Sequence, residues 1–197
     1  MTVSEKRKRT RAKNQGLAKR RALRIIRHTQ PRTVEDLWSS GLILTEVGKR
    51  GGAFRRAYRI AGTNLVIKFP RKGWADSWED SKKHTRDEVK KIRTLSQYRC
   101  FRHHLPPVYY YKGRDGVMVT DYYPYVNWKG ASIILADVVK EFTGVELRDV
   151  VGDNDRASII LADVVKEFTG VELGDVVGDN VRAKSKLDNV VMVDCGY

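Results

Sequence analysis

Residues 42–69 read LILTEVGKRGGAFRRAYRIAGTNLVIKF, and this stretch decides the fold. Apolar and β-branched residues dominate 42–47 and 65–69, RRAYRI at 55–60 reads as the returning strand between them, and the turn segments 48–54 and 61–64 separate the three. The pattern predicts three consecutive strands, because Gly and Asn accept the backbone angles of tight turns while Val, Ile and Tyr suit a pleated surface. The first turn holds Gly48, Gly51 and Gly52. The third strand carries one cation, Lys68, among apolar neighbours.

Working outward, Thr33 predicts the cap of a short helix through Trp38, with Gly41 ending it. Residues 77–98 read as a helix with Val89, Ile92 and Leu95 on one side, and Glu88 borders that side one turn before Ile92. Segments 108–112 and 117–122 predict a hairpin around GRDG. The order is three strands, a helix, two strands and then helices. It predicts an α+β fold with a five-stranded antiparallel sheet, one packed helix and a reduced helical part.

Residues 131–156 and 157–182 are two 26-residue copies that differ only at Arg148/Gly174 and Asp155/Val181. Two copies are too few for a solenoid, so the pattern reads as a tandem duplication inside an existing fold. Each copy predicts an amphipathic helix, with Ile134, Leu135, Val138, Val139 and Phe142 repeated as Ile160, Leu161, Val164, Val165 and Phe168. Gly144 and Gly170 sit at the expected helix ends. A fold with one slot for this helix must give the extra copy another apolar surface, or pair it with a second chain as a dimer.

The chain has 197 residues and a formal net charge of +14, unevenly spread. Residues 1–30 contribute +10, residues 31–130 another +10 and residues 131–197 contribute −6. The segment 5–27, EKRKRTRAKNQGLAKRRALRIIR, predicts an extended or fraying arm with one or two helical turns, because dense like charge repels itself. Such an arm suits nucleic acid or another acidic partner through phosphate neutralisation, without base stacking since it has no aromatic residue. The expected domains are therefore a basic arm 1–30, a sheet-bearing lobe 31–125 and a lobe 126–197 containing the duplication. Two cysteines make no disulfide framework, no apolar run reaches membrane-spanning length, and the basic N-terminus lacks the apolar core of a signal peptide. A cytoplasmic location without membrane contact is expected. Cys100, His103 and His104 are metal-ligating types, but no second ligand pair accompanies them, so that segment reads as a surface loop.

Four features occur in a chemically meaningful order. A glycine-rich turn can approach nucleotide phosphates closely, and Lys68 held by Glu88 can grip them. Asp175 can accept the proton of an attacking hydroxyl. Asn180 and Asp194 supply hard oxygen ligands for Mg²⁺. The alternative pair Asp149 and Asn154 in the first copy competes with Asp175 and Asn180. The second pair is favoured because it adjoins VVMVDCG, which allows a short hairpin between Asn180 and Asp194.

This ordered set resembles the protein-kinase fold, closest to small kinase-like proteins of bacteriophages. GGAFRRAY resembles the glycine-rich loop and VIK the strand that bears the ATP lysine. ELGDVVGDN resembles the H-R-D-x-x-x-x-N catalytic loop and DCG resembles D-F-G. Asp121, Tyr122 and Tyr123 fall where the adenine hinge would be. The resemblance implies ATP and Mg²⁺ as cofactors, phosphoryl transfer to a hydroxyl acceptor, and the host cytoplasm as location for a phage protein. The departures are Arg55 at the third glycine position, Leu173 and Gly174 at the His-Arg positions, and Cys195 for the Phe. The sequence ends at Tyr197, so neither an A-P-E motif nor a platform for a peptide substrate is expected. Two alternatives stand beside catalysis. One is an inactive kinase-like binding protein acting through its arm on nucleic acid or a host partner. The other is an engineered duplication variant made for folding studies.

Overall fold

A computed structural model describes residues 2–47, 55–71, 77–126, 130–144, 154–173, 181–183 and 191–192. The described elements are the helices α1 (Val3–Thr29), α2 (Val34–Trp38), α3 (Trp78–Leu95), α4 (Gly130–Thr143) and α5 (Asn154–Thr169). The strands are β1 (Leu44–Val47), β2 (Arg55–Ile60), β3 (Leu65–Pro70), β4 (Tyr110–Lys112), β5 (Val117–Asp121), β6 (Tyr125–Val126), β7 (Val181–Ala183) and β8 (Val191–Met192). A 3-10 turn covers Arg99–Phe101.

The chain divides into two compact units, one of residues 1–86 and 108–122, the other of residues 87–107 and 123–197. These cuts fall at places other than the expected boundaries after residues 30 and 125. Helix α3 is shared, with its first nine residues in the first unit.

The first unit contains a five-stranded antiparallel sheet in the order β1-β2-β3-β5-β4. The mixed α+β class and the five antiparallel strands agree with the expectation from residues 42–122. Directly paired residues share a face of a sheet. Tyr58 lies opposite Ile67, and Ile67 opposite Val119. These residues join Ile60, Leu65, Phe69 and Val117 in a core completed by Ala22, Leu23 and Ile26 of α1 and Leu37 of α2. Each fully buried aliphatic side chain there contributes about 1.5–3 kcal/mol of transfer free energy.

That packing overturns the expectation of an extended or fraying arm. Residues 3–29 form one 27-residue helix, opened by a Thr2–Glu5 capping box and closed by Gln30 at φ 48°. Charge repulsion is offset because Ala22, Leu23 and Ile26 recur at helical spacing and bury against the sheet. Tertiary packing of an apolar face outweighs intrinsic propensity. Residues 4–17 are exposed, so the N-terminal half of the same helix presents its Lys and Arg side chains to solvent.

Ser77 opens α3: its hydroxyl accepts the Asp80 backbone N–H at 3.1 Å and donates to the Asp80 carboxylate at 2.7 Å. The Ser81 hydroxyl donates to the Arg71 carbonyl at 2.6 Å, tying the helix to the exit of β3. A Cβ on Gly116 (φ +65°) would stand 3.0 Å from the Lys82 Cα, so the β4–β5 turn and α3 approach as only glycine permits.

The second unit holds α4, α5, the 3-10 turn and a three-stranded antiparallel sheet in the order β6-β7-β8. Helix α4 packs on the 3-10 turn and on α5. The two repeated segments thus pack on one another. Gly144 and Gly170 end the two helices at φ +72° and +68°, and their backbone N–H groups donate to the carbonyls of Lys140 and Lys166 at 3.0 and 2.9 Å. Both glycines act as the left-handed caps expected of them.

Candidate functional site

Lys68 occupies the only half-buried position of β3; the other five are buried. Its neighbours across the sheet are Ala57 on β2 and Met118 on β5. It therefore lies on the sheet face opposite the one covered by α1 and α2. Val66 and Thr120, also paired, share that face and are buried.

Glu88 lies on α3 and is 2% exposed. Ser81, His84, Thr85, Glu88, Val89, Ile92 and Leu95 are all buried, at the spacing of one helical face. Glu88 is therefore a buried member of this stripe, not merely its border. The stripe is polar in its N-terminal half and apolar towards Leu95, a gradient that the sequence spacing alone did not separate.

Asp121 ends β5, opposite Leu65, and so faces the α1 side of the sheet. Its carboxylate accepts Lys19 Nζ at 2.8 Å and Asn64 Nδ2 at 3.0 Å, and it is 4% exposed. Lys19 Nζ also donates to the Tyr109 hydroxyl at 2.8 Å and lies 3.9 Å from that ring's centre. Burial works against the charge on Lys19, but the hydrogen bonds to Asp121 and Tyr109 outweigh it and hold its pKa above the usual lysine value. The Tyr122 backbone N–H donates to the Asn64 carbonyl at 2.6 Å, and the Arg59 guanidinium lies 5.1 Å from the Tyr122 ring centre. Tyr123 is buried. The chain passes from the first unit to the second between Tyr122 and Tyr123. The Lys19 contact escaped sequence reading because 102 residues separate it from Asp121.

Gly48, Gly51, Gly52, Asp149, Asp175, Asn180 and Asp194 lie outside the described residues. Asn154 begins α5. The strand expected after Asn180 is β7, and the short strand before Asp194 is β8. The two pair antiparallel, with Val181 opposite Met192, as the expected hairpin requires.

A second group of polar side chains joins the segment after the 3-10 turn to α4. His104 Nε2 is 2.8 Å from Asp137 Oδ2 on α4, and the ring of His103 lies 5.2 Å from that of His104. The surface-loop reading of this segment is corrected, since Cys100, Phe101, His104 and Leu105 are all buried. Burial, reinforced by the negative charge of Glu141, pushes the Cys100 thiol up to about 11. It is a protonated core side chain at neutral pH. Asp137 was missed because only the packing of α4 on the 3-10 turn brings it across 33 residues of sequence.

Among the described residues, no helix is long and apolar enough to cross a membrane. No protein-family model matches this chain, and no curated protein matches it.

Proposed function

We propose that the chain is a kinase-like protein that binds Mg-ATP and transfers a phosphoryl group to a hydroxyl acceptor. The observation that carries this reading is Lys68: a single cation on an otherwise buried central strand, on the sheet face not covered by α1 and α2. Three features support it. The strand order, with α3 entering between β3 and β4, is what the kinase resemblance implies. Glu88 is a buried carboxylate on that helix. Finally, β7 follows Asn180 directly, β8 ends two residues before Asp194, and the two strands pair.

In this reading Lys68 holds phosphates and Glu88 orients it. Asp175 is the base, and Asn180 and Asp194 hold Mg²⁺. Because the Asp121 carboxylate is engaged by Lys19 and Asn64, adenine contacts at residues 121–123 fall to backbone groups. We expect Mg-ATP to raise the melting temperature of the wild-type protein and not of Lys68→Ala. No nucleotide-dependent shift in the wild type would sink the reading. Radiolabel transfer should be lost in Asp175→Ala and kept in Asp149→Ala; the reverse would move the site to the first copy.

A second reading is polyanion binding by α1, favoured by the exposure of residues 4–17. Six cations lie there: Lys6, Arg7, Lys8, Arg9, Arg11 and Lys13. Deleting residues 1–30 would remove Ala22, Leu23 and Ile26 from the core, so the test keeps the helix and replaces the six cations by Gln. If they meet phosphates, the slope of log affinity for duplex DNA against log salt concentration falls by about 5. An unchanged slope dismisses the surface as a polyanion site.

A further inference from the structure

We propose that His103, His104 and Asp137 form a binding site for a borderline divalent transition-metal ion of the Zn²⁺ class. Each residue offers one ligand atom, and the three atoms lie within 4.8 Å of one another. All three belong to the second unit. Two imidazoles with one carboxylate suit Zn²⁺ or its neighbours in the first transition row, whereas Mg²⁺ and Ca²⁺ take oxygen ligands.

Ligand atoms on a tetrahedral Zn²⁺ at about 2.1 Å stand roughly 3.4 Å apart. The 2.8 Å separation of His104 Nε2 and Asp137 Oδ2 must therefore open by about half an ångström as their hydrogen bond is replaced by two bonds to the ion. His104 is held for this role. It is 2% exposed, its backbone N–H donates to the Phe101 carbonyl at 2.9 Å, and its carbonyl accepts the Met192 N–H at 2.8 Å. His103 is exposed and Asp137 is 48% exposed, so an ion can enter from solvent and keep water in its remaining coordination position. Bound there, it would cross-link α4 to the segment that follows the 3-10 turn.

The duplication supplies its own control. Asp163 on α5 occupies the same place in the repeat as Asp137. Among the described residues, the cluster of metal-ligating side chains forms only at the first copy.

The test uses the full-length chain without a histidine tag, titrated with Co²⁺ alone and followed by visible absorption. We expect intense d–d bands that saturate at one ion per chain and bleach when Zn²⁺ is added. His103→Ala and Asp137→Asn should weaken binding beyond the ~10–100-fold that loss of a supporting partner costs. Asp163→Asn should leave binding unchanged. Circular dichroism of the metal-free variants checks that each keeps its fold; His103 is exposed, so at least that variant should. Wild-type spectra no stronger than those of hexaaqua Co²⁺ would overturn the proposal. So would binding that is indifferent to both ligand substitutions, or equally weakened by Asp163→Asn.

Discussion

Residues 131–143 and 157–169 both read ASIILADVVKEFT, yet α4 and α5 bury different faces of it. In α4 the buried positions include Ile134, Leu135 and Val138. In α5 they are Ala157, Ser158, Leu161 and Val165, while Ile160, the twin of Ile134, is 36% exposed against 0%. Over the positions described in both helices, Leu135 and Leu161 are buried alike, whereas Ile134 and Val138 are buried only in α4 and Val165 only in α5. The two helices are chemically alike over these 13 positions, so neither propensity nor periodicity can have chosen the face. The neighbours chose it. Helix α4 is packed between the 3-10 turn and α5, whereas α5 has α4 beside it and leaves Ile159, Ile160 and Phe168 substantially exposed.

This comparison can be broken most directly at the twin isoleucines. Ile134→Ala should cost about 3–4 kcal/mol in urea unfolding and Ile160→Ala about 1 kcal/mol. Equal losses would mean that the two helices are equivalently buried in solution. The caps should behave in the opposite way. Gly144→Ala and Gly170→Ala each place a Cβ at positive φ with no neighbour within 4 Å, so both should cost about 1–2 kcal/mol, and similarly. A marked asymmetry there would show that tertiary contacts also govern the helix ends. The twin phenylalanines Phe142 and Phe168 stack with ring centres 4.7 Å apart and planes 6° apart. A double-mutant cycle to Leu should return a coupling of about 1 kcal/mol, and additivity would remove the stack.

The smallest effect is electrostatic. Lys166 pairs with Glu172 at 2.8 Å, and the ammonium holds the Glu172 carboxyl below the usual glutamate value. A carboxyl with a lowered folded pKa stabilises the fold above its unfolded value of 4.5, and loses that contribution as pH falls through the folded one. In an NMR titration, Lys166→Gln should move the Glu172 midpoint up towards 4.5. An unmoved midpoint would mean that the exposed pair does not persist in solution.

Much of the first unit was legible because its signals are local. Gly62 and Gly116 have the positive φ expected of turns, and the segments expected as strands at 42–47, 55–60, 65–69, 108–112 and 117–122 each carry one of β1 to β5. Ser77 and Thr33 mark helix starts for the same reason, since a cap is satisfied within three residues. Helix α1 was not legible. Its charges are dense and local, but the residues that hold it, Ala22, Leu23 and Ile26, act only through a sheet that begins at Leu44. The candidate site divides in the same way. Lys68 declares itself as the one cation in an apolar strand, and Glu88 by its helical spacing. By contrast, the Lys19–Asp121 pair and the His104–Asp137 pair join residues far apart in sequence.

By itself the sequence determined the strands β1 to β5 and the helices other than α1, because each of those depends on a few adjacent residues and their backbone preferences. Tertiary structure alone decided which of two identical helices turns Ile134 or Val165 inward, that a basic helix serves as part of a core, and that Asp137 meets histidines where Asp163 does not. Burial and pairing depend on what lies across a gap in space, and identical segments in different surroundings resolve it differently.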